Sequence, residues 1–253
     1  MTRQEIQSIK ALKNRAERAL QNRFIVEGEK SIFELCSSSL TVQRIYCLDS
    51  MFDTLANAID AKHHPNIQSI STKEMGRISQ MATPPGMLAI AELPSIEAKD
   101  VLENIEKAPL PFGAVCCDIK DPGNLGTLIR SADWFGMGGI LISNGTVDPW
   151  SQKCVQASMG SIFRLPVAVA DIENIEVLYH YHLEMHGNPY TEIEWKPGLI
   201  WIGSESHGFN YHSIPKTSVP VHIPKRGQAD SLNAGLAGGI VFAHLSNCWE
   251  KKI

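Results

Sequence analysis

Residues 118–136 read DIKDPGNLGTLIRSADWFG. Leu125, Leu128, Ile129, Ala132 and Phe135 recur here at i, i+3, i+4, i+7 and i+10. That spacing predicts a helix over 124–135 with one buried stripe. Asn124 is placed to cap it, Gly126 admits a close neighbour at the first turn, and Gly136 ends it as the residue after the C-cap. Arg130 lies off the stripe, nearly two turns beyond Asn124, so the two can line one side of the helix. By local rules alone this is a cap and a surface arginine.

The preceding residues, FGAVCCDI at 112–119, read as a buried strand. Downstream, strands are expected at 139–143, 165–170, 199–203 and 219–223, with helices at 151–159 and 231–249. Alternation of this kind means a mostly parallel sheet covered on both faces, with ligands bound beyond the carboxyl ends of its strands. That rule selects three loops, 118–124, 203–210 and 223–231. Upstream, strands at 24–26, 42–48 and 87–93 with helices at 29–35 and 51–61 predict a smaller α/β unit. The expected division is 1–96, a linker at 97–110 containing one short helix at 100–105, and 111–253.

The second loop, LIWIGSESHGFN at 199–210, is a strand running into Gly203-Ser-Glu205-x-x-Gly208, a tight turn with exposed backbone groups; His207 reads as a solvent-facing turn residue. The third, VHIPKRGQADSLNAGLAGGIVFAHL at 221–245, opens a helix at Ser231, which suits its N-cap. Asn233 falls in the first turn, where free N–H groups attract acceptor atoms. Gly235, Gly238 and Gly239 each cost a helix about 1 kcal/mol relative to alanine, so they indicate close approach by another element. Neither dinucleotide nor P-loop glycine motifs occur.

The chain has 253 residues, 43% of them hydrophobic and 20% charged, which excludes disorder and leaves room for one large or two small domains. Its apolar runs fall short of the roughly 18 residues of a membrane span, and its polar amino terminus is unlike a signal peptide; a soluble, cytosolic protein is expected. Six cysteines without metal-ligand spacing predict neither a zinc site nor disulfides.

The net charge of −4 counts against indiscriminate nucleic-acid binding, but it is unevenly spread. Arg3, Lys10, Lys13, Arg15, Arg18 and Arg23 against Glu5 and Glu17 leave +4 on the first 23 residues. Leu12, Ala16 and Ala19 or Leu20 at helical spacing put Lys13, Arg15 and Arg18 on the outer arc of a short helix, by local rules a solvated face. The stretch 171–194 carries six carboxylates and no Lys or Arg, and is expected to face away from any phosphate backbone.

Together and in this order, the loops resemble the three signature motifs of the SpoU/TrmH family of RNA ribose 2′-O-methyltransferases, in the SPOUT superfamily. The first is Asn124-x-Gly126-x-x-x-Arg130 through Phe135-Gly136. The second is Gly203-x-Glu205-x-x-Gly208, and the third runs from Ile223-Pro224 through Gly227 to Ser231-Leu232-Asn233. Residues 157–166 are similar to the family's connecting segment. Lys13-x-Arg15 followed by Phe24-Ile25-Val26-Glu27-Gly28 is similar to the small RNA-binding domain, shaped like a ribosomal protein, that precedes it in many members. Lys225 stands where methionine is common, and Ala234-Gly235 replace a frequent Val-Ser pair.

The resemblance implies an α/β, parallel-sheet catalytic domain ending in a trefoil knot, and a homodimer through that domain. It implies transfer of a methyl group from S-adenosylmethionine to a ribose 2′-hydroxyl of rRNA or tRNA, with no metal. Arg130 would be the catalytic residue, with Asn124, Glu205, Ser231 and Asn233 completing the site. Gly203, Glu205, Gly208, Ile223 and Leu232 would surround the cofactor, and Lys13, Arg15, Arg18 and Arg23 would meet RNA. Arg130 as phosphate clamp is preferred, because a guanidinium is normally no base; direct base action in a desolvated site stays open. A non-catalytic RNA-binding or assembly protein of the same fold is the rival reading, and an α/β enzyme for another nucleotide is a third.

Overall fold

The computed structural model of the chain describes residues 1–172, 175, 179–204, 209 and 214–250. Two compact units emerge. One comprises Met1–Ser95 with Trp150–Arg164, the other Ile96–Pro149 with Leu165–Ile253.

In the first unit, α1 (Arg3–Ala11) and α2 (Arg15–Gln21) precede β1 (Arg23–Glu27), α3 (Glu29–Cys36) and β2 (Val42–Leu48). Then come α4 (Phe52–Ala58), β3 (Ile67–Ile70), α5 (Thr72–Ile78) and β4 (Met87–Glu92). The sheet order is β1-β4-β2-β3, with β4 antiparallel to both neighbours and β3 parallel to β2. Ile6, Ile9 and Leu12 pack with Met75 and Ile78 of α5 over Ile25, Tyr46, Leu88 and Ile90. Strand β3 and helix α5 were not expected. The start of α5 was legible in Ser71-Thr-Lys-Glu74, whose ends cap each other reciprocally.

The basic amino-terminal segment departs from expectation. It is two helices, because the Asn14 side chain accepts from Ala16 N at 2.8 Å and starts a new one. The break changes the helical phase, so Ala16, Ala19 and Leu20 are exposed. Arg18 is buried at 5% exposure, and its Nη1 donates to the carbonyls of Leu12 (2.7 Å) and Lys13 (2.9 Å). It ties off a helix end that would otherwise leave carbonyls without partners. Arg18 is therefore not on the outer arc and not placed to meet RNA, whereas Lys13, Arg15 and Arg23 are exposed.

Residues 97–110, expected as a linker, form α6 (Ala98–Lys107), capped by Glu97 and Asp100. Val101 and Ile105 enter the core of the second unit. Asn104 Nδ2 donates to Gly138 O at 2.6 Å, and a Cβ on Gly138 would lie 2.2 Å from Ile105 Cα. Apolar spacing within a charged stretch carried this helix: its charges face solvent while its i, i+4 pair is buried.

Strand β5 (Leu110–Cys116), helix α7 (Pro122–Trp134) and strand β6 (Met137–Ile142) follow. The chain then returns to the first unit with α8 (Gln152–Ser158) before β7 (Val167–Val169), β8 (His180–Pro189), β9 (Gly198–Ile202), β10 (Val219–His222) and α9 (Ala234–Glu250). The second sheet has the order β10-β8-β9-β5-β6-β7 and is parallel throughout. Its fully buried strands are near-continuous apolar runs, as a two-sided sheet requires. Along the apolar stripe of α7, Leu125, Leu128, Ile129 and Ala132 are buried and Phe135 is half-buried. Among the described residues no helix is long and apolar enough to cross a membrane.

Residues 150–164 are anchored within the first unit. Trp150 and Phe163 pack on Phe24, with ring centroids 4.7 and 6.3 Å away. Glu27, 6% exposed, accepts from Ser79 Oγ, from Gln80 N at 2.8 Å and from Gln152 Nε2 at 3.3 Å. Burial pushes its carboxyl above the ordinary value, against the pull of Ser79 and Gln80. Glu27→Ala strands three donors and is expected to lower the unfolding free energy by about 2–3 kcal/mol. A raised carboxylate contributes its stability below its unfolded pKa and loses it as pH rises through the folded one. Denaturation should therefore show a larger loss for this variant near pH 5 than at pH 8.

Candidate functional site

Helix α7 begins at Asp121, whose side chain accepts from Asn124 N at 3.0 Å, with Pro122 at the first helical position. Asp121 therefore takes the capping role expected of Asn124, and this frees the Asn124 side chain for another partner. Its Oδ1 accepts from Asn233 Nδ2 at 2.7 Å. Asn233 in turn caps α9, its Oδ1 accepting from Leu236 N at 3.1 Å. Ser231, expected at that cap, lies two residues earlier and is exposed.

The two helices meet through the glycines of α9. A Cβ on Gly238 would lie 2.3 Å from Leu128 Cδ2, and one on Gly235 3.1 Å from Thr127 Cγ2. The close approach inferred from sequence is thus an approach of α9 to α7. It joins the first and third loops side chain to side chain.

Beyond the strand ends lies a cavity of about 490 Å³, within the range of small-molecule sites. Gly203, Ile223, Ser231 and Leu232, all chosen from sequence, are in its wall. Ile202, Phe209 and Val221 add apolar surface, and Lys225, Arg226 and Asp230 are exposed lining residues of the third loop. Arg130 is exposed on α7 and is not among the cavity's lining residues. Glu205 and Gly208 lie outside the described residues, as does His207.

Part of the wall was missed. Leu183, Glu184, Met185 and His186 belong to β8, a strand within the stretch whose carboxylates dominate its composition. The signal was present in the period-two alternation of Tyr181, Leu183 and Met185. His182, 8% exposed, places Nδ1 2.9 Å from Ser218 Oγ and Nε2 3.7 Å from Glu184 Oε2. Burial lowers its pKa, while Glu184 pulls the other way. Nearby thiol chemistry is disfavoured: burial pushes Cys117 up to about 12.

Asn233→Ala removes both a cap and the partner of Asn124, and is expected to cost about 1 kcal/mol. In a double-mutant cycle with Asn124→Ala, denaturation should return a coupling of about 0.5 kcal/mol or more. Strict additivity would mean that the bond carries no energy.

A model of the SpoU rRNA Methylase family matches residues 111–243, and a model of an MRM3-like substrate binding domain matches residues 3–89. The 23S rRNA (guanosine(2553)-2′-O)-methyltransferase RlmP of Bacillus subtilis is 28% identical over 253 residues, covering 96% of this chain and 96% of that protein. The mitochondrial rRNA methyltransferase 3 of Xenopus laevis is 30% identical over 144 residues, 56% of this chain; the chain spans 34% of that protein's length. The AdoMet-bound rRNA methyltransferase from Sinorhizobium meliloti shares the fold, with a TM-score of 0.84 at 24% identity over 98% of this chain and 96% of that one.

Proposed function

The chain belongs to the SpoU rRNA methylase family, and from that premise we propose that it methylates a ribose 2′-hydroxyl of ribosomal RNA with S-adenosylmethionine as donor. The observation that carries the reading is the 2.7 Å bond between Asn124 and Asn233. It unites the first and third signatures beside a cavity of nucleoside size. The relatives whose names specify rRNA methyltransferases favour ribosomal over transfer RNA.

The cavity suits the cofactor chemically. Ile202, Phe209, Val221, Ile223 and Leu232 offer apolar surface for a purine, with polar backbone at the strand ends near Gly203. When bound, S-adenosylmethionine supplies an electrophilic methyl group on a sulfonium. The chain's own residues must then orient the ribose hydroxyl and ease loss of its proton, so positioning supplies much of the rate. Arg130 acts as a clamp on the target nucleotide's phosphate, its fixed positive charge favouring the alkoxide. Asn124 and Asn233 hold the hydroxyl or the phosphate, joined by Ser231 and Glu205. Lys225 and Arg226, neither in an ion pair with another described residue, extend positive charge along the cavity rim.

The first unit carries the RNA through Lys13, Arg15 and Arg23. The proposal extends to an amino-terminal domain like a small ribosomal protein, a carboxyl-terminal trefoil knot, a homodimer through the second unit and action in the cytoplasm. Exposed Trp134 on α7 and Leu236 on α9 favour burial against a second copy.

Arg130→Ala is expected to lower methylation by about two to three orders of magnitude, with cofactor affinity measured by calorimetry little changed. Unaltered turnover would overturn the assignment. Charge reversal at Lys13, Arg15 and Arg23 should weaken rRNA-fragment binding and reduce its salt slope by roughly 2–3; an unchanged slope would return those residues to plain surface. Mapping 2′-O-methyl sites in RNA from cells with and without the gene tests substrate and activity together. Loss of a single rRNA methylation is expected, loss of a tRNA methylation would move the substrate, and loss of none would favour the non-catalytic reading.

A further inference from the structure

The pairing of β8 with β10 is broken in an unusual way. Pro220 pairs with His182, yet the next residue, Val221, pairs with Asn188. Residues 183–187 of β8 are thereby pushed out of that ladder, and Leu183, Glu184, Met185 and His186 become cavity wall. Bulges beside binding sites re-aim side chains in this way.

The excursion is pinned at both ends. Before it, His182 Nδ1 lies 2.9 Å from Ser218 Oγ. After it, His222 Nδ1 lies 2.8 Å from Gly187 O, and Asn188 Nδ2 donates to Pro220 O at 3.4 Å. Gly187 passes so close to β10 that a Cβ would meet the Pro220 carbonyl at 2.8 Å. Such a segment is held in shape before any ligand arrives.

Glu184 brings a carboxylate to the cavity, its side chain 22% exposed and one oxygen 3.7 Å from His182 Nε2. The ladder between β8 and β9 ends at the pair His182 and Trp201, and Glu184, two residues on, lines the same cavity as Gly203. In other parallel α/β sheets a carboxylate near the strand ends accepts from the ribose hydroxyl of a bound nucleotide. The cavity's remaining charges, Lys225, Arg226 and Asp230, are all exposed. They suit a charged amino-acid tail near solvent, whereas the less exposed Glu184 suits hydroxyl donors of the neutral nucleoside.

We propose that Glu184 accepts hydrogen bonds from the vicinal 2′ and 3′ hydroxyls of the cofactor's ribose, held in place by the His182–Ser218 pair and the pinned excursion of β8. This rests on the reading that the cavity binds S-adenosylmethionine. Glu184 is then a binding residue that recognises the nucleoside and is indifferent to the charge at sulfur.

Calorimetry on the full chain tests it, with S-adenosylmethionine, S-adenosylhomocysteine and the 2′- and 3′-deoxy analogues of the latter. Glu184→Gln should weaken both parent ligands by a similar factor, about tenfold or more. The deoxy analogues should bind the unaltered protein correspondingly weakly, and the variant should scarcely distinguish them from the parent. Full affinity for both deoxy analogues in the unaltered protein overturns the proposal, and that arm does not depend on the variant folding. Undiminished affinity in a folded variant overturns it as well. A loss confined to S-adenosylmethionine would place the carboxylate at the sulfonium instead. If the unaltered protein binds neither parent ligand, the reading of the cavity falls, and this inference with it.

Discussion

Helices α7 and α9 approach so closely at Gly235 and Gly238 that a single methyl group would collide with Thr127 or Leu128. Two residues more than a hundred positions apart, Asn124 and Asn233, can share a hydrogen bond only because of that approach. Glycine disfavours a helix, and α9 tolerates three because its packing against α7 and the sheet offsets their cost. The polar set at the site is thus a consequence of an apolar packing distance.

The cavity has a different origin. Its walls are strand ends and loops, where a parallel sheet leaves backbone groups without ladder partners. β9 contributes through its end at Ile202 and Gly203, β10 through the loop that follows it, and β8 through an excursion of its own backbone. Burial disfavours the charged form of His182, against the opposing pull of Glu184 3.7 Å away. Polar recognition is concentrated on a frame that is otherwise apolar.

The first unit depends on a segment drawn from far along the chain. Trp150, Gln152 and Phe163 pack or bond to Phe24 and Glu27, and Arg164 pairs with Glu34 at 2.6 Å. Phe24 and Glu27 belong to the motif that suggested an RNA-binding domain, yet both are buried. Their identities answer to that internal contact, whereas Lys13, Arg15 and Arg23 are exposed.

The α/β class, the parallel sheet of the second unit, the stripe of α7 and the three loops were legible in the chain's residues alone, because periodicity and strand alternation are local properties. Resemblance to the family's motifs marked Gly203, Ile223, Ser231 and Leu232, which line the cavity. Other features came only from the tertiary structure. Arg18 is buried because Asn14 restarts the helix and open carbonyls need a donor, a matter of phase that composition does not carry. Residues 97–110 form a packed helix because Gly138 leaves room for the Ile105 backbone from another element. Glu184 reaches the cavity because β10 skips five residues of β8 in pairing, and a register shift is a relation between two strands, written in neither alone.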